Sequence, residues 1–337
     1  MIRNRRFFGA RLRHFTLQWH LTNRCSFHCR HCYDRSDRQE LNLPDALAIL
    51  ADFQTFCRKH RLKAHLCLSG GDPMLYPYFW DLYRHIADVP IPVSILGNPI
   101  GPDWIEELWR IQPPVYYQVS LEGLREHNDR IRGQGQYGQV MTFLLEARQR
   151  DLPTHVMLTL TRANLDQVLP LAQELRGLTE CFTFNRLSQV GDGANLELPS
   201  RQEFIEFLEH YRIARKTNPL LRFKDNLFNI LQYRHHRRPF PGCTGFGCGA
   251  AFNFVALLPD GEVHACRKYP SLIGNILQSG MDAIYHSAEA QLYRNGSIAC
   301  RRCCLRRVCG GCPAVSYGNG LDPLKERDPY CFMVEPM

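Results

Sequence analysis

The regular return of a short apolar run followed by a helical pattern restricts this chain to one fold class. Six such pairs fill the first two thirds. Strands are predicted at residues 17–22, 63–68, 91–96, 115–121, 154–161 and 181–188. Residues 44–60, 78–89, 103–111, 137–150, 165–176 and 201–216 place apolar side chains at helical spacing, as Leu47, Ile49, Leu50, Phe53 and Phe56 do in the first. Such alternation calls for a parallel sheet with right-handed crossovers. Six units predict an α/β fold, a partial (βα)6 barrel of the TIM type, with its chemistry at the C-terminal ends of the strands. The polar and glycine-rich stretches Ser69-Gly70-Gly71-Asp72-Pro73, Gly97-Asn98-Pro99 and Glu122-Gly123 all follow predicted strands.

Beyond about residue 240 the pattern changes to short strands, turns and cysteines, with no long helix. The basic segment Arg234-His235-His236-Arg237-Arg238-Pro239 marks the change and reads as solvated linker. Four parts are expected: a basic N-terminal arm (1–14), an α/β core (15–225), a basic linker (226–242) and a cysteine-rich domain (243–337). With 45% hydrophobic and 22% charged residues and a net charge of +8, the chain is not disordered. Its longest apolar stretch, residues 250–258, is broken by Asn253 and far short of the ~20 residues a membrane helix needs. Arg3, Arg5, Arg6, Arg11 and Arg13 precede no apolar segment of the kind a secretion signal carries, so a cytoplasmic protein is expected.

Fifteen cysteines in 337 residues are too many for packing alone. An odd count without a secretion signal argues against a disulfide scaffold and for metal ligation. Cys25, Cys29 and Cys32 form C-x3-C-x2-C directly after the first strand. Thiolates this close suit an iron–sulfur cluster or zinc. Three ligands leave one iron of a 4Fe–4S cube open, as a reactive centre requires; the alternative is a zinc knuckle completed by His28 or His31. Eight more thiols follow at Cys243, Cys248, Cys266, Cys300, Cys303, Cys309, Cys312 and Cys331. The run from Cys300 to Cys312 is too tight for a zinc ribbon, and eight thiols match two fully ligated 4Fe–4S clusters. Cys57, Cys67 and Cys181 fall on element faces and read as small buried apolar groups. Cys304, beside Cys303, reads as a bystander.

The three-cysteine loop after the first strand resembles that of the radical S-adenosylmethionine superfamily. The resemblance implies a cluster at Cys25, Cys29 and Cys32 whose open iron chelates S-adenosylmethionine and cleaves it to a 5′-deoxyadenosyl radical. It also implies cofactor contacts. Gly70, Gly71 and Asp72 would hold the methionine amino group, Asp72 standing where the family usually has Glu. Ser120 would meet the ribose and carboxylate, and Arg132 the carboxylate. His31, with Tyr33 beside it, would lie near the adenine, with a backbone contact from Leu187 and a strand-end polar group at Asn98.

The C-terminal array, with Gly261-x4-Cys266, resembles the SPASM domain of peptide- and protein-modifying radical enzymes. That resemblance implies two auxiliary 4Fe–4S clusters, hence three in all: Cys243, Cys248, Cys266 and Cys312 for the first, Cys300, Cys303, Cys309 and Cys331 for the second. The last pair departs from the family, with two residues rather than three between Cys309 and Cys312. The implied function is a ribosomal-peptide maturase installing a crosslink, heterocycle, epimer or oxidation. The segment Leu17-Gln18-Trp19-His20 and the surroundings of Cys266 are similar to maturases of selenobiotic, thio(seleno)oxazole-type peptides. Implied partners are a precursor peptide and a flavodoxin- or ferredoxin-type reductant. No room for a leader-binding domain is expected before Cys25, so leader recognition would rest on the SPASM face, the basic N-terminus or a separate leader-recognition protein. No nucleic-acid or membrane partner is expected. An anaerobic sulfatase maturase is the protein-directed alternative, but Arg267 stands where that group has an Asp base. A non-catalytic iron–sulfur carrier or redox regulator is the alternative from another class. His264, Glu262, Arg267 and Tyr317 are conceivable acid–base groups, each read as structural, so no catalytic residue at the substrate is named. Arg301, Arg302, Arg306 and Arg307 surround the array and would raise the potential of a cluster there.

Overall fold

The computed structural model describes residues 14–334. The arginines of the basic N-terminal arm lie outside the described residues. The core runs β1 (His14–Thr22), α1 (Leu43–His60), β2 (Lys63–Gly70), α2 (Phe79–Ala87), β3 (Val93–Leu96), α3 (Pro102–Ile111), β4 (Tyr117–Ser120), α4 (Arg125–Arg132), α5 (Gln136–Gln149), β5 (Thr154–Leu160), α6 (Val168–Glu174), β6 (Cys181–Arg186) and α7 (Arg201–Ala214). The C-terminal third adds α8 (Phe228–Arg234), β7 (Phe254–Leu257), β8 (Glu262–His264), β9 (Leu272–Asn275), α9 (Met281–His286), α10 (Ala288–Asn295) and α11 (Pro313–Gly318). No described helix is long and apolar enough to cross a membrane.

Strands β1 to β6 lie side by side in chain order, each parallel to the next. Side chains from all six, from His20 on β1 to Asn185 and Arg186 on β6, line one common cavity, so the sheet curves into the expected partial barrel. Alternation along β1 shows how. Phe15, Leu17, Trp19 and Leu21 are buried in the apolar core, while Thr16, Gln18 and His20 face the cavity. Helix α1 is capped by Asn42, whose side chain accepts from the Asp45 N–H, and buries Ile49, Leu50, Phe53 and Phe56.

Three features differ from the sequence reading. Strand β7, inside the apolar run 250–258, pairs in parallel with β1, from Thr16 against Phe254 to Trp19 against Leu257. The cysteine-rich segment thus continues the barrel sheet, and the antiparallel strands β8 and β9 extend it to nine. Without β7, β1 would be an exposed apolar edge. Second, residues 226–231, assigned to linker, are buried in or next to α8. Phe228 packs on Phe184 and Tyr211, and Asn226 and Asn229 donate to Gly311 and Val308 carbonyls. The basic stretch 234–239 is exposed, as expected of linker. Third, α4 carries Arg132 but was not foreseen, because its sequence Arg-Glu-His-Asn-Asp-Arg-Ile-Arg has almost no apolar periodicity.

Arg186 fastens the two thirds together. It is buried at the end of β6, with Asp225 at 2.7 Å and a two-bond contact to Asp328 at 2.7 and 2.8 Å. Asp328 in turn accepts from the Cys312 N–H at 2.8 Å.

Candidate active site

The cysteine loop leaves β1 and is clamped against the end of β2. The Gly71 and Asp72 N–H groups donate to the Thr22 and Arg24 carbonyls at 2.8 Å each. The backbones come so close that a β-carbon at Gly70 would stand 2.2 Å from the Thr22 oxygen, and one at Gly71 2.4 Å from the Arg24 oxygen. Both glycines therefore seat the loop, whatever else they touch. From the far side, the Arg30 N–H donates to the Ile131 carbonyl at the end of α4. Cys25, Cys29 and Cys32 all line the cavity; Cys25 Sγ accepts from the Phe27 N–H and from Asn98 Nδ2, each at 3.4 Å.

Glu122 is the electrostatic centre of this end. It is 1% exposed, with His31 Nε2 at 2.8 Å, Arg132 Nη1 at 3.1 Å and the Thr159 N–H donating at 2.7 Å. Burial pushes its carboxyl up, but His31, Arg132 and the Thr159 N–H outweigh that and hold it down at about 2. The sequence reading took Glu122 only as part of a turn. A lone acid before glycine carries no spacing signal; three groups converge on it only once β4, α4 and β5 are folded.

The expected cofactor residues fall into two groups. His31, Tyr33, Gly70, Gly71, Asn98, Ser120, Arg132 and Leu187 all line the cavity beside the three thiols. Asp72 does not. Its carboxylate, raised by burial, caps the Met74 N–H and accepts from Asn98 Nδ2 at 3.2 Å, so it reaches the cavity wall through Asn98. One methylene shorter than Glu, it stops at this inner position. Several buried polar atoms remain without a partner here: Arg132 Nε, Ser69 Oγ and His20 Nε2. Unsatisfied donors in a buried site are costly, and a polar ligand carrying carboxylate and hydroxyl groups meets that need. The residues present thus fit S-adenosylmethionine.

Farther along the barrel axis, Cys243, Cys248, Cys266 and Cys312 line a second part of the same cavity. Cys300, Cys303, Cys309 and Cys331 line a separate small one, and Cys304 belongs to neither. A further small cavity is lined by Cys248 together with Cys300 and Cys309, so the two groups of thiols adjoin each other. Among the described residues, no group of three ligand atoms within 4.8 Å of one another contains a thiol. A single tetrahedral zinc would draw its sulfurs to about 3.8 Å. Burial pushes Cys248, Cys266 and Cys309 up, and Cys312 to about 11, so a bound metal is what would keep these sets ionised.

The two parts of the cavity share Leu96, Gln118, Met157, Asn185, Arg186, Arg267 and Lys268. Arg267 follows Cys266 and its guanidinium lies 5.5 Å from the Tyr33 ring centre. No carboxylate stands at that position. The other conceivable acid–base groups are engaged structurally: Glu262 holds Arg38 at 2.9 Å and His264 at 3.0 Å. Cys57 and Cys67 are buried, and burial raises both thiols; Cys181 is partly buried on β6.

Residues 19–175 match the family model of the radical SAM superfamily, and residues 248–312 that of SPASM, an iron–sulfur cluster-binding domain. The chain is 26% identical to the AdoMet-dependent heme synthase of Methanosarcina barkeri, across 94% of this chain and 95% of that protein. It is 24% identical to the antilisterial bacteriocin subtilosin biosynthesis protein AlbA of Bacillus subtilis, across 90% of this chain and 67% of that one. Its fold superposes on SuiB of Streptococcus suis, solved bound to precursor peptide SuiA, with a TM-score of 0.75 at 16% identity, over 96% of this chain and 77% of that chain. A thiol loop clamped at the strand ends, thiols gathered beyond it and both family models agree: the chain carries a radical SAM superfamily domain followed by a SPASM iron–sulfur cluster-binding domain.

Proposed function

We propose that this protein is a peptide maturase that abstracts hydrogen from a ribosomally made precursor and installs a post-translational modification. The observation that carries the reading is the pair of adjoining cavities, with seven lining residues in common, one holding the Cys25, Cys29 and Cys32 loop and the other the Cys243, Cys248, Cys266 and Cys312 set. A substrate held between them touches a radical source at one end and an electron acceptor at the other. Likeness to AlbA and to the fold of SuiB supports a peptide as that substrate. Three 4Fe–4S clusters are proposed, one on the three-thiol loop and one on each four-thiol set. When bound, the first cluster with S-adenosylmethionine supplies a 5′-deoxyadenosyl radical.

The chain's own residues hold that chemistry in place. Gly70 and Gly71 fix the loop, and Asn98 and the Phe27 N–H shield the charge on Cys25. Glu122 orients His31 and Arg132 toward the cofactor, leaving Arg132 Nε to bond a carboxylate. Ser120 and Leu187 close the opposite wall. A cytoplasmic location, a flavodoxin- or ferredoxin-type reductant and a separate leader-recognition protein complete the proposal.

A second reading, tetrapyrrole chemistry, is favoured by the heme synthase relative, which matches this chain almost end to end. The test is anaerobic incubation of reconstituted protein with dithionite and S-adenosylmethionine, quantifying 5′-deoxyadenosine by mass spectrometry. Precursor-like peptides or coproporphyrin III are then added. Peptide-stimulated turnover with a mass change in the peptide supports the maturase; stimulation by the porphyrin alone transfers the assignment to the second reading.

A further inference from the structure

The carboxylates around the cavity do not balance its cations. Of its cations, Arg35 pairs with Asp192, Arg132 with Glu122, and Arg186 with Asp225 and Asp328. Lys224, Arg267 and Lys268 also line it, and none makes an ion pair among the described residues. Among the described residues Lys224 Nζ donates only to the Met157 sulfur at 3.9 Å, a weak acceptor, while the Cys243 and Cys181 thiols lie near enough to act on its charge. The Lys268 side chain makes no hydrogen bond; its backbone carbonyl accepts from Ser188. Lys224 comes from the segment between α7 and α8, whereas Arg267 and Lys268 follow β8 across the cavity. Partly buried cations without an anion are costly to keep.

Thiolates of the neighbouring cysteine set account for part of this charge, above all at Lys268, two residues from Cys266. They do not fix where Arg267 points: although next to Cys266 and acting on that thiol, its guanidinium reaches the other way to Tyr33, beside Cys32, and lines both parts of the cavity. Nor does the cofactor end require it, since Arg132 keeps a free nitrogen there. We infer that Lys224, Arg267 and Lys268 form a cradle for a carboxylate on the substrate, so that the peptide segment drawn into the barrel carries an acidic side chain. The peptide half of this statement rests on the maturase reading; the cradle itself does not.

The test uses the full-length, anaerobically reconstituted protein with S-adenosylmethionine and fluorescein-labelled, amidated Gly-Gly-Ala-Xaa-Ala-Gly-Gly peptides, Xaa being Glu or Gln. Fluorescence anisotropy reads their binding, and coproporphyrin III, a tetracarboxylate, is titrated in parallel. The Glu peptide is expected to bind about ten-fold more tightly than the Gln peptide. Lys224→Met, at matched iron content, is expected to bring that ratio close to one, and Lys224→Arg to retain it. If the porphyrin instead binds in a Lys224-dependent way while the two peptides do not differ, the carboxylate cradle stands and the peptide reading falls. If the peptides bind equally or not at all, and porphyrin binding is indifferent to Lys224, the cradle is overturned and these cations serve only the neighbouring thiolates.

Discussion

The two ends of the cavity solve opposite problems. At the strand ends, three thiols sit on one short loop, and the polar groups around them are left partly unsatisfied: Arg132 Nε, Ser69 Oγ and His20 Nε2. In the C-terminal third, the backbone N–H groups of cysteines spread from Cys243 to Cys331 are tied into the protein's own hydrogen bonds, and of the polar side chains nearby Tyr269 Oη and Asn253 Oδ1 stay without a partner. The Cys243 N–H donates to Asn226, that of Cys248 to the Cys309 carbonyl, and those of Cys312 and Cys331 to Asp328. An open centre must keep donors in reserve for a ligand that comes and goes. A closed one spends them on holding its shape.

Replacing Cys25, Cys29 and Cys32 together with Ala is the harshest way to break this comparison. Reconstituted protein is expected to fall from about twelve irons to about eight, with 5′-deoxyadenosine production abolished. Loss of all iron would mean that the two ends are not independent. Gly71→Ala comes next. Its β-carbon collides with the Arg24 and Asn23 carbonyls, so the loop must move and about four irons be lost although every thiol remains. Iron analysis of the purified variant decides it.

Arg186→Met strips the buried fastener and leaves Asp225 and Asp328 facing each other without a cation. A loss of about 3–5 kcal/mol is expected, read as a lower thermal midpoint and faster proteolysis of the cluster-loaded protein. Glu122→Gln sharpens the comparison at the open end alone: affinity for S-adenosylmethionine should drop about ten-fold with iron retained. Because Glu122 is held down at about 2, below its unfolded value, its stabilising charge is present above about pH 4.5 and lost as pH falls toward 2. Between pH 5.5 and 8.5, therefore, cofactor affinity of the unaltered protein should show no titration from this carboxyl. Cys304→Ser is the smallest change. That thiol is exposed and lines neither thiol-lined cavity, so iron content should stay the same.

The barrel was legible because each strand is a compact apolar run and each long helix keeps its period, as in β2 and α1. What escaped the sequence were features set by distant pairing or by polar burial. The run 250–258 was visible, but nothing local says that it lies beside β1 from the other end of the chain. Helix α4 buries His127, Asn128, Ile131 and Arg132, a mostly polar face that periodicity of apolar residues does not register. Thiol spacing pointed to iron–sulfur chemistry, because the cysteines cluster too tightly for packing or a zinc ribbon to explain. Glu122 stayed hidden because its importance comes from His31 and Arg132, nine or more residues away in opposite directions along the chain.

The most direct test of one open and two closed centres is electron paramagnetic resonance of the dithionite-reduced protein, recorded with and without S-adenosylmethionine. Adding the cofactor should shift one cluster's signal and leave the others in place, and the shifting component should be missing from the Cys25/Cys29/Cys32 variant. A spectrum indifferent to the cofactor, or one in which every signal moves, would contradict the account.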